Sequence, residues 1–299
     1  MSRDEPMQLL RQARSNPLAW WWALLALGSS ANIALWFMMY HQYAGRPTGS
    51  RSSAFDPELM LFLCAAYVFG CAFRSFLPRA DLQRICLFNT WLSSIVVGRS
   101  VATVAEVCFA TQSAIVLYQL GAIAGVDTTL SIAWAIVPLI VIAQVCSWYA
   151  VLTTNPLASA IENSIWAIAF LGVGLGLSRL LPEFDGLVRV ALVVGIAAIA
   201  GYLAFLMTID IPMYLSRWHA GRAAGRKPLR PLEGLRDAST HWIVTHDFKQ
   251  WKDEIAWMSL YFTAAVWASL ALCIVYSLGD QLPRYRAEPS AISSPTARP

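Results

Sequence analysis

The sequence predicts an all-α, polytopic membrane protein with seven transmembrane helices. Three observations carry that expectation. Seven apolar stretches run through the chain, and a stretch of about twenty residues crosses the ~30 Å hydrocarbon core at ~1.5 Å per residue. Of 299 residues, 57% are hydrophobic and 13% charged, against about 25% charged in soluble domains, so lipid must solvate much of the surface. Thirteen tryptophans and ten tyrosines supply aromatic anchors for two membrane–water boundaries.

Residues 1–17 form a polar amino-terminal segment carrying Arg3, Arg11 and Arg14. Asn16-Pro17 reads as a helix start, an Asn cap followed by proline in the first turn, and Trp20, Trp21 and Trp22 follow as interface anchors. The first span covers about 18–40. It is too long for the h-region of a signal peptide, so it reads as a retained span. A Gly/Ser/Pro/Arg loop, 41–57, leads to the second span, about 59–77, in which Arg74 snorkels toward the interface and which Pro78 ends. The apolar run 85–97 is thirteen residues long. It is too short to cross and predicts an interfacial or re-entrant helix, or an extension of the next span. The remaining spans are about 100–125, 130–153 with a kink expected at Pro138, 157–178, 190–211 and 255–278, all in one membrane domain of 18–278. The Pro/Ser/Arg-rich tail 279–299 is expected to be disordered. A Leu-Pro-x-x-Asp pattern at Leu77–Asp81 and again at Leu181–Asp185 raises the alternatives of an inverted repeat and of simple proline punctuation.

With the amino terminus inside, 15 of the 22 Lys and Arg residues fall on inner segments and seven on outer ones. The positive-inside rule then predicts amino terminus in, carboxyl terminus out, in a cytoplasmic or inner membrane. Eight of the basic residues lie in the inner loop 213–252 against three acids. They predict contact with anionic lipid headgroups, or recognition of a phosphate-bearing head by Arg217, Arg222, Arg226, Lys227 and Arg230. Within that loop an amphipathic helix is expected near 231–247, with Leu232, Leu235 and Trp242 on lipid. Nothing interleaves basic residues with aromatics on a soluble surface, so no nucleic-acid partner is expected.

Polar residues inside the spans cluster toward one side. Glu106 follows Arg99 by seven residues, two helical turns on one face with Thr103 between, and lies ~10 Å below the inner edge. Glu162 and Asn163 lie ~8–9 Å into the fifth span from the same side, and Ser147 and Gln144 ~9 and ~14 Å from the end of the fourth. Asp210 sits near the inner end of the sixth span and Asp253-Glu254 at the inner start of the seventh. An ion at mid-helix costs about 2.5–3.5 kcal/mol on insertion scales, so these groups face the bundle and need partners. Glu106 and Glu162 are the candidate acid/base carboxylates, with Arg99 as anion partner or as a helix-locking ion. Seven residues are too far apart for a direct bond along one helix, so Arg99 and Glu106 are each expected to pair with another span. Asn163, Gln144, Ser147, Asp210 and Arg217 are candidate substrate-binding groups.

The segment His241…His246-Asp247 is a candidate divalent-metal element, oxygen-rich and suited to magnesium or manganese. Its two histidines are five apart, which is not the spacing that puts both on one helical face. Four histidines in the whole chain exclude the His-rich boxes of membrane hydroxylases. All six cysteines lie in apolar stretches and none forms Cys-x-x-Cys, so they read as packing residues. No nucleophile elbow, Walker loop or dinucleotide fingerprint is present. Three functions therefore stay open: a membrane-embedded enzyme or binding protein for a small lipid-like substrate, a secondary carrier, and a structural or assembly subunit with membrane-protein partners.

Overall fold

The structure is a computed structural model that describes residues 16–43 and 57–280. The polar segment 1–15, most of the first loop and the tail after Asp280 lie outside the described residues. Seven helices are long and apolar enough to cross a membrane. They are α1 (Pro17–Tyr43), α2 (Pro57–Phe76), α3 (Ile95–Ala124), α4 (Asp127–Thr153), α5 (Pro156–Leu180), α6 (Gly186–Ala223) and α8 (Phe248–Asp280), with a short α7 (Pro231–Thr240) between the last two. Each of α2 to α6 packs on the helix before it in the chain, and α8 returns to close against α2 and α3. The exterior exposes Leu24, Phe62, Val104, Val145 and Ile168, while Arg99, Glu106, Gln112 and Gln144 are buried. That arrangement inverts a soluble protein and suits lipid as solvent.

Local chemistry sets the helix ends. Asn16 caps α1, its Oδ1 accepting from Leu18 N at 3.0 Å, and Asn155 caps α5 in the same way from Leu157 N at 3.1 Å. α4 continues through Pro138. At ~57 Å for 38 residues, α6 is far longer than the hydrocarbon core is thick. Its residues Leu206–Asp210 are π-helical and end two positions before Pro212. Proline offers no N–H to the preceding turn and crowds it, so the ladder there widens. α8 has a second π segment, Tyr261–Ala265. Asn32 of α1 answers it, donating to Phe262 O at 3.5 Å and accepting from Trp267 Nε1 at 3.0 Å.

The stretch 85–97 departs from expectation. It is not an interfacial helix. Arg79–Ala80 (β1) pairs antiparallel with Ile85–Cys86 (β2), a 3-10 turn follows at Trp91–Ser93, and α3 begins at Ile95. Ile85, Cys86, Leu87 and Phe88 are all buried, which one face of a helix could not achieve for four consecutive residues. The amphipathic loop helix likewise ends at Thr240, short of 247. Residues Ile243–Val244 (β3) instead pair parallel with β2, Ile243 N donating to Arg84 O at 2.7 Å. The two Leu-Pro-x-x-Asp turns also differ. Asp81 pairs with Arg74 at 3.4 Å behind β1, whereas Leu181–Glu183 is an exposed 3-10 turn and Asp185 pairs with Arg189. The pattern is punctuation at these two places.

α7 docks by small residues. Gly234 and Ala238 are buried, while Leu232 and Leu235 face outward, 83% and 43% exposed. A Cβ at Gly234 would collide with the carbonyl of Leu152, which is backbone and cannot rotate away. Gly234→Ala is therefore expected to lift α7 from the end of α4 at a cost of about 1–3 kcal/mol. Hydrogen exchange of 231–246 checks this; unchanged protection there contradicts the close packing.

Candidate functional site

Four helices bring the polar residues of the spans together at the end of the bundle that carries the small sheet. Arg99 of α3 donates from Nη2 to Glu106 Oε2 at 2.8 Å and to Gln144 Oε1 at 2.7 Å, and Gln144 Nε2 donates to the same Glu106 oxygen at 2.5 Å. Arg99 and Glu106 each meet a partner on another span, as expected, but they also bond each other directly, which the seven-residue separation had seemed to exclude. An arginine side chain is long enough to reach two turns along its own helix when both residues share a face. Glu162 of α5 stands 4.0 Å from Arg99 Nη1 and is hydrogen-bonded by Ser147 of α4. Arg99 and Glu106 are 7% and 9% exposed at the side chain and Glu162 13%, so Glu162 is both the more loosely held and the more accessible carboxylate.

A second group continues from the first. Asn163 Nδ2 donates to Asp210 Oδ2 at 2.5 Å, joining α5 to α6 at the end of the π segment. Tyr202 lies in the electrostatic field of Asp210, Glu106 and Glu162, and Tyr214 in that of Asp210, Glu254 and Glu162. Arg217 donates to Glu254 at 3.0 Å and lies 3.6 Å from Asp253. Glu254, almost fully buried, also accepts from Gln83 at 2.7 Å and Trp257 at 2.6 Å. The eight span and inner-loop candidates Arg99, Glu106, Gln144, Ser147, Glu162, Asn163, Asp210 and Arg217 thus form one connected region. Arg99 Nε and Arg217 Nη1 are buried donors with no acceptor among the described residues.

The metal candidates do not converge. His241 Nδ1 contacts Asp237 Oδ1 at 3.0 Å, His246 Nε2 lies 3.0 Å from Leu87 O, and Asp247 caps α8 by accepting from Lys249 N. The extended chain after Thr240 turns each toward a different partner. Among the described residues no three His, Cys, Asp or Glu side chains are placed to hold a metal ion.

Three arginines are interior clamps: Arg74, expected to snorkel to the interface, is buried instead, and Arg79 and Arg84 had entered only the charge count. Arg74 pairs with Asp81 and lies beside the rings of Trp257 and Phe262. Arg79 is fully buried against Gly98, donating to Leu92 O at 2.9 Å and Ser94 O at 2.7 Å. Burial, with Arg74 nearby, draws its guanidinium down to about 10, still protonated at neutral pH. Arg84, at φ 57, ties three elements together through Asp237 Oδ2 (2.8 Å), Asp81 O (2.9 Å) and Val151 O (2.8 Å). Burial pushes the neighbouring Cys86 thiol up to about 11, so it packs as a neutral group.

An open groove of about 370 Å³ lies on the flank of α4 and α5, lined by Val145, Cys146, Tyr149, Leu157, Ala158 and Ile161, with Asn155 at its end. Cys146 and Ile161 adjoin Ser147 and Glu162 in sequence, and the Glu162 charge acts on Cys146. The groove therefore runs beside the buried carboxylate. No protein-family model, curated protein or solved structure matches this chain; the seven apolar helices define a multi-pass membrane protein.

Proposed function

We propose that this protein is a membrane-embedded enzyme or binding protein for a small lipid-like substrate, with its polar site on the cytoplasmic side of a cytoplasmic or inner membrane. The observation that carries the reading is the position of Glu162. It lies 4.0 Å from Arg99 Nη1 and next along α5 to Ile161, which lines the apolar α4–α5 groove. An amphiphile's chain fits the groove, whose volume is in the usual range of about 300–1,000 Å³ for small-molecule sites. Its head then meets Glu162 as acid or base and the free N–H groups of Arg99 and Arg217 as donors to an oxygen. Glu106 has a different role. Its Oε2 already accepts from two groups, so it holds α3 to α4 and orients Arg99. Exposed Arg222, Arg226, Lys227, Arg230 and Arg236 beside α7 support contact with anionic headgroups at the same end.

Native mass spectrometry of gently solubilised protein tests this. The wild type is expected to retain an amphiphile. Glu162→Gln is expected to lower its occupancy about tenfold or more, equivalent to one charged hydrogen bond of ~1.5 kcal/mol or above, while thermal unfolding stays close to wild type. Equal occupancy in both proteins, or loss of occupancy only in step with lost stability, rejects the assignment.

The carrier reading has one observation in its favour: α6 and α8 both turn π-helical beside the cluster, and π segments concentrate at functional sites. Solute uptake into proteoliposomes, abolished by Glu162→Gln, selects it instead.

A further inference from the structure

We propose that the α4–α5 groove ends in a phosphate site, so that its occupant is an anionic, phosphate-bearing membrane lipid. The proposal rests on the reading of that groove as an amphiphile site and names the head the amphiphile carries. Gly225, at φ 69, closes the end of α6, and Arg226 N donates to Gly221 O at 3.0 Å. Pro228 and Pro231 keep the chain out of a helix up to the start of α7. Between them Leu229 N donates to Thr153 O at 3.0 Å, which ties this short strap to the last turn of α4. The close packing of Gly234 on Leu152 fixes the strap's other end. Asn155, two residues on from Thr153, lies at the end of the groove. The strap therefore passes beside the groove's mouth.

Charge and placement together fit one occupant. Arg226, Lys227 and Arg230 are exposed and make no ion pair among the described residues. No acidic residue lies between Asp210 and Glu233 in the chain. Asn155 Oδ1 is occupied by Leu157 N, which leaves the amide NH2 as a donor at the groove's end. Guanidinium forks and an ammonium suit phosphate oxygens. Val145, Leu157, Ala158 and Ile161 along the groove suit an acyl chain. Leu232 and Leu235 of α7 turn an apolar edge outward beside the strap, which sets the strap at headgroup level. A free anion uses the basic residues and leaves the groove, and a neutral lipid does the reverse. A lipid that carries a phosphate uses both. Glu162 lies seven residues beyond Asn155, ~10 Å along α5. A phosphate held at the mouth thus brings the linkage between head and chain toward Glu162, and not the phosphate itself.

The test uses the full chain in a non-ionic detergent, with bound lipid counted by native mass spectrometry. The probes are dioctanoyl phosphatidic acid and dioctanoylglycerol, which share their chains and differ by the phosphate. The wild type is expected to bind the phosphatidic acid about tenfold more tightly or better. The triple variant Arg226→Gln/Lys227→Gln/Arg230→Gln changes only exposed side chains. It is expected to lose that preference and to bind the diacylglycerol as the wild type does. Val145→Trp, at an exposed position on the groove wall, is expected to weaken both lipids alike. Glu162→Gln is expected to keep the preference. Equal wild-type affinities overturn the phosphate site and leave the functional reading standing, as does a triple variant that keeps the preference. Displacement of the phosphatidic acid by excess inorganic phosphate marks a free-anion site and overturns it too. Unchanged binding of both lipids by Val145→Trp removes the groove, and the functional reading falls with it.

Discussion

Replacing Arg99 by methionine is expected to destabilise the protein by about 3–5 kcal/mol, the usual cost of removing one partner from a buried ion pair. Arg99 is the cation between Glu106 at 2.8 Å and Glu162 at 4.0 Å. Without it two carboxylates face each other in an apolar bundle, and at least one must take up a proton or draw in water. Gln144 loses a donor in the same step. Thermal unfolding in detergent or nanodiscs checks the result. The double variant Arg99→Met/Glu106→Leu removes the charge together with its main partner and is expected to recover most of the loss, since replacing a whole buried pair by apolar groups is often neutral or stabilising. A single variant that melts with the wild type would mean that this ion pair is solvated and that the interior assigned to it is wet.

Trp251→Ala is expected to cost about as much, ~3–5 kcal/mol for a large aromatic lost from a packed site. Trp251 is fully buried near the start of α8. Its ring lies 6.0 Å from that of Trp21 on α1, and its Nε1 donates to Thr245 O at 2.9 Å. Thr245 N in turn donates to Cys86 O, so one side chain connects α1, α8, β3 and β2. Two readouts follow: a lower unfolding temperature and faster hydrogen exchange across 241–246. Loss of stability without faster exchange there would show that the sheet is held independently of Trp251, and would separate its two roles.

Much of the polar site was legible by counting. The rise per residue is constant and successive spans reverse direction, so Glu106, Gln144, Ser147, Glu162 and Asn163 could be set at one depth without coordinates. Counting does not give side-chain reach or pairing, and there it failed. Arg99 was assigned a partner on another helix and found one on its own as well. Arg74, Arg79 and Arg84 sit where the charge rule looks for basic residues, and that rule counts charges without distinguishing a solvated side chain from one folded back into the protein. Nor could periodicity place 85–97. An apolar run of that length fits a helix as well as a buried strand, and the choice fell to β3, contributed from more than 150 positions away. The His241–Asp247 element failed for a related reason: shared segment does not imply shared direction once the helix ends.

The sequence by itself determined the solvent and the scaffold. Apolar length, sparse charge and aromatic anchors leave seven membrane-crossing helices as the structure in which every backbone group is satisfied in lipid, and the cost of burying ions sends their side chains inward. Only the tertiary structure decided which ion meets which. Partnership depends on helix rotation, on side-chain reach and on contacts between residues far apart in the chain, as between Arg99 and Glu162 or Arg84 and Asp237. Those contacts arise from the packing of whole helices, and no local pattern of residues encodes them.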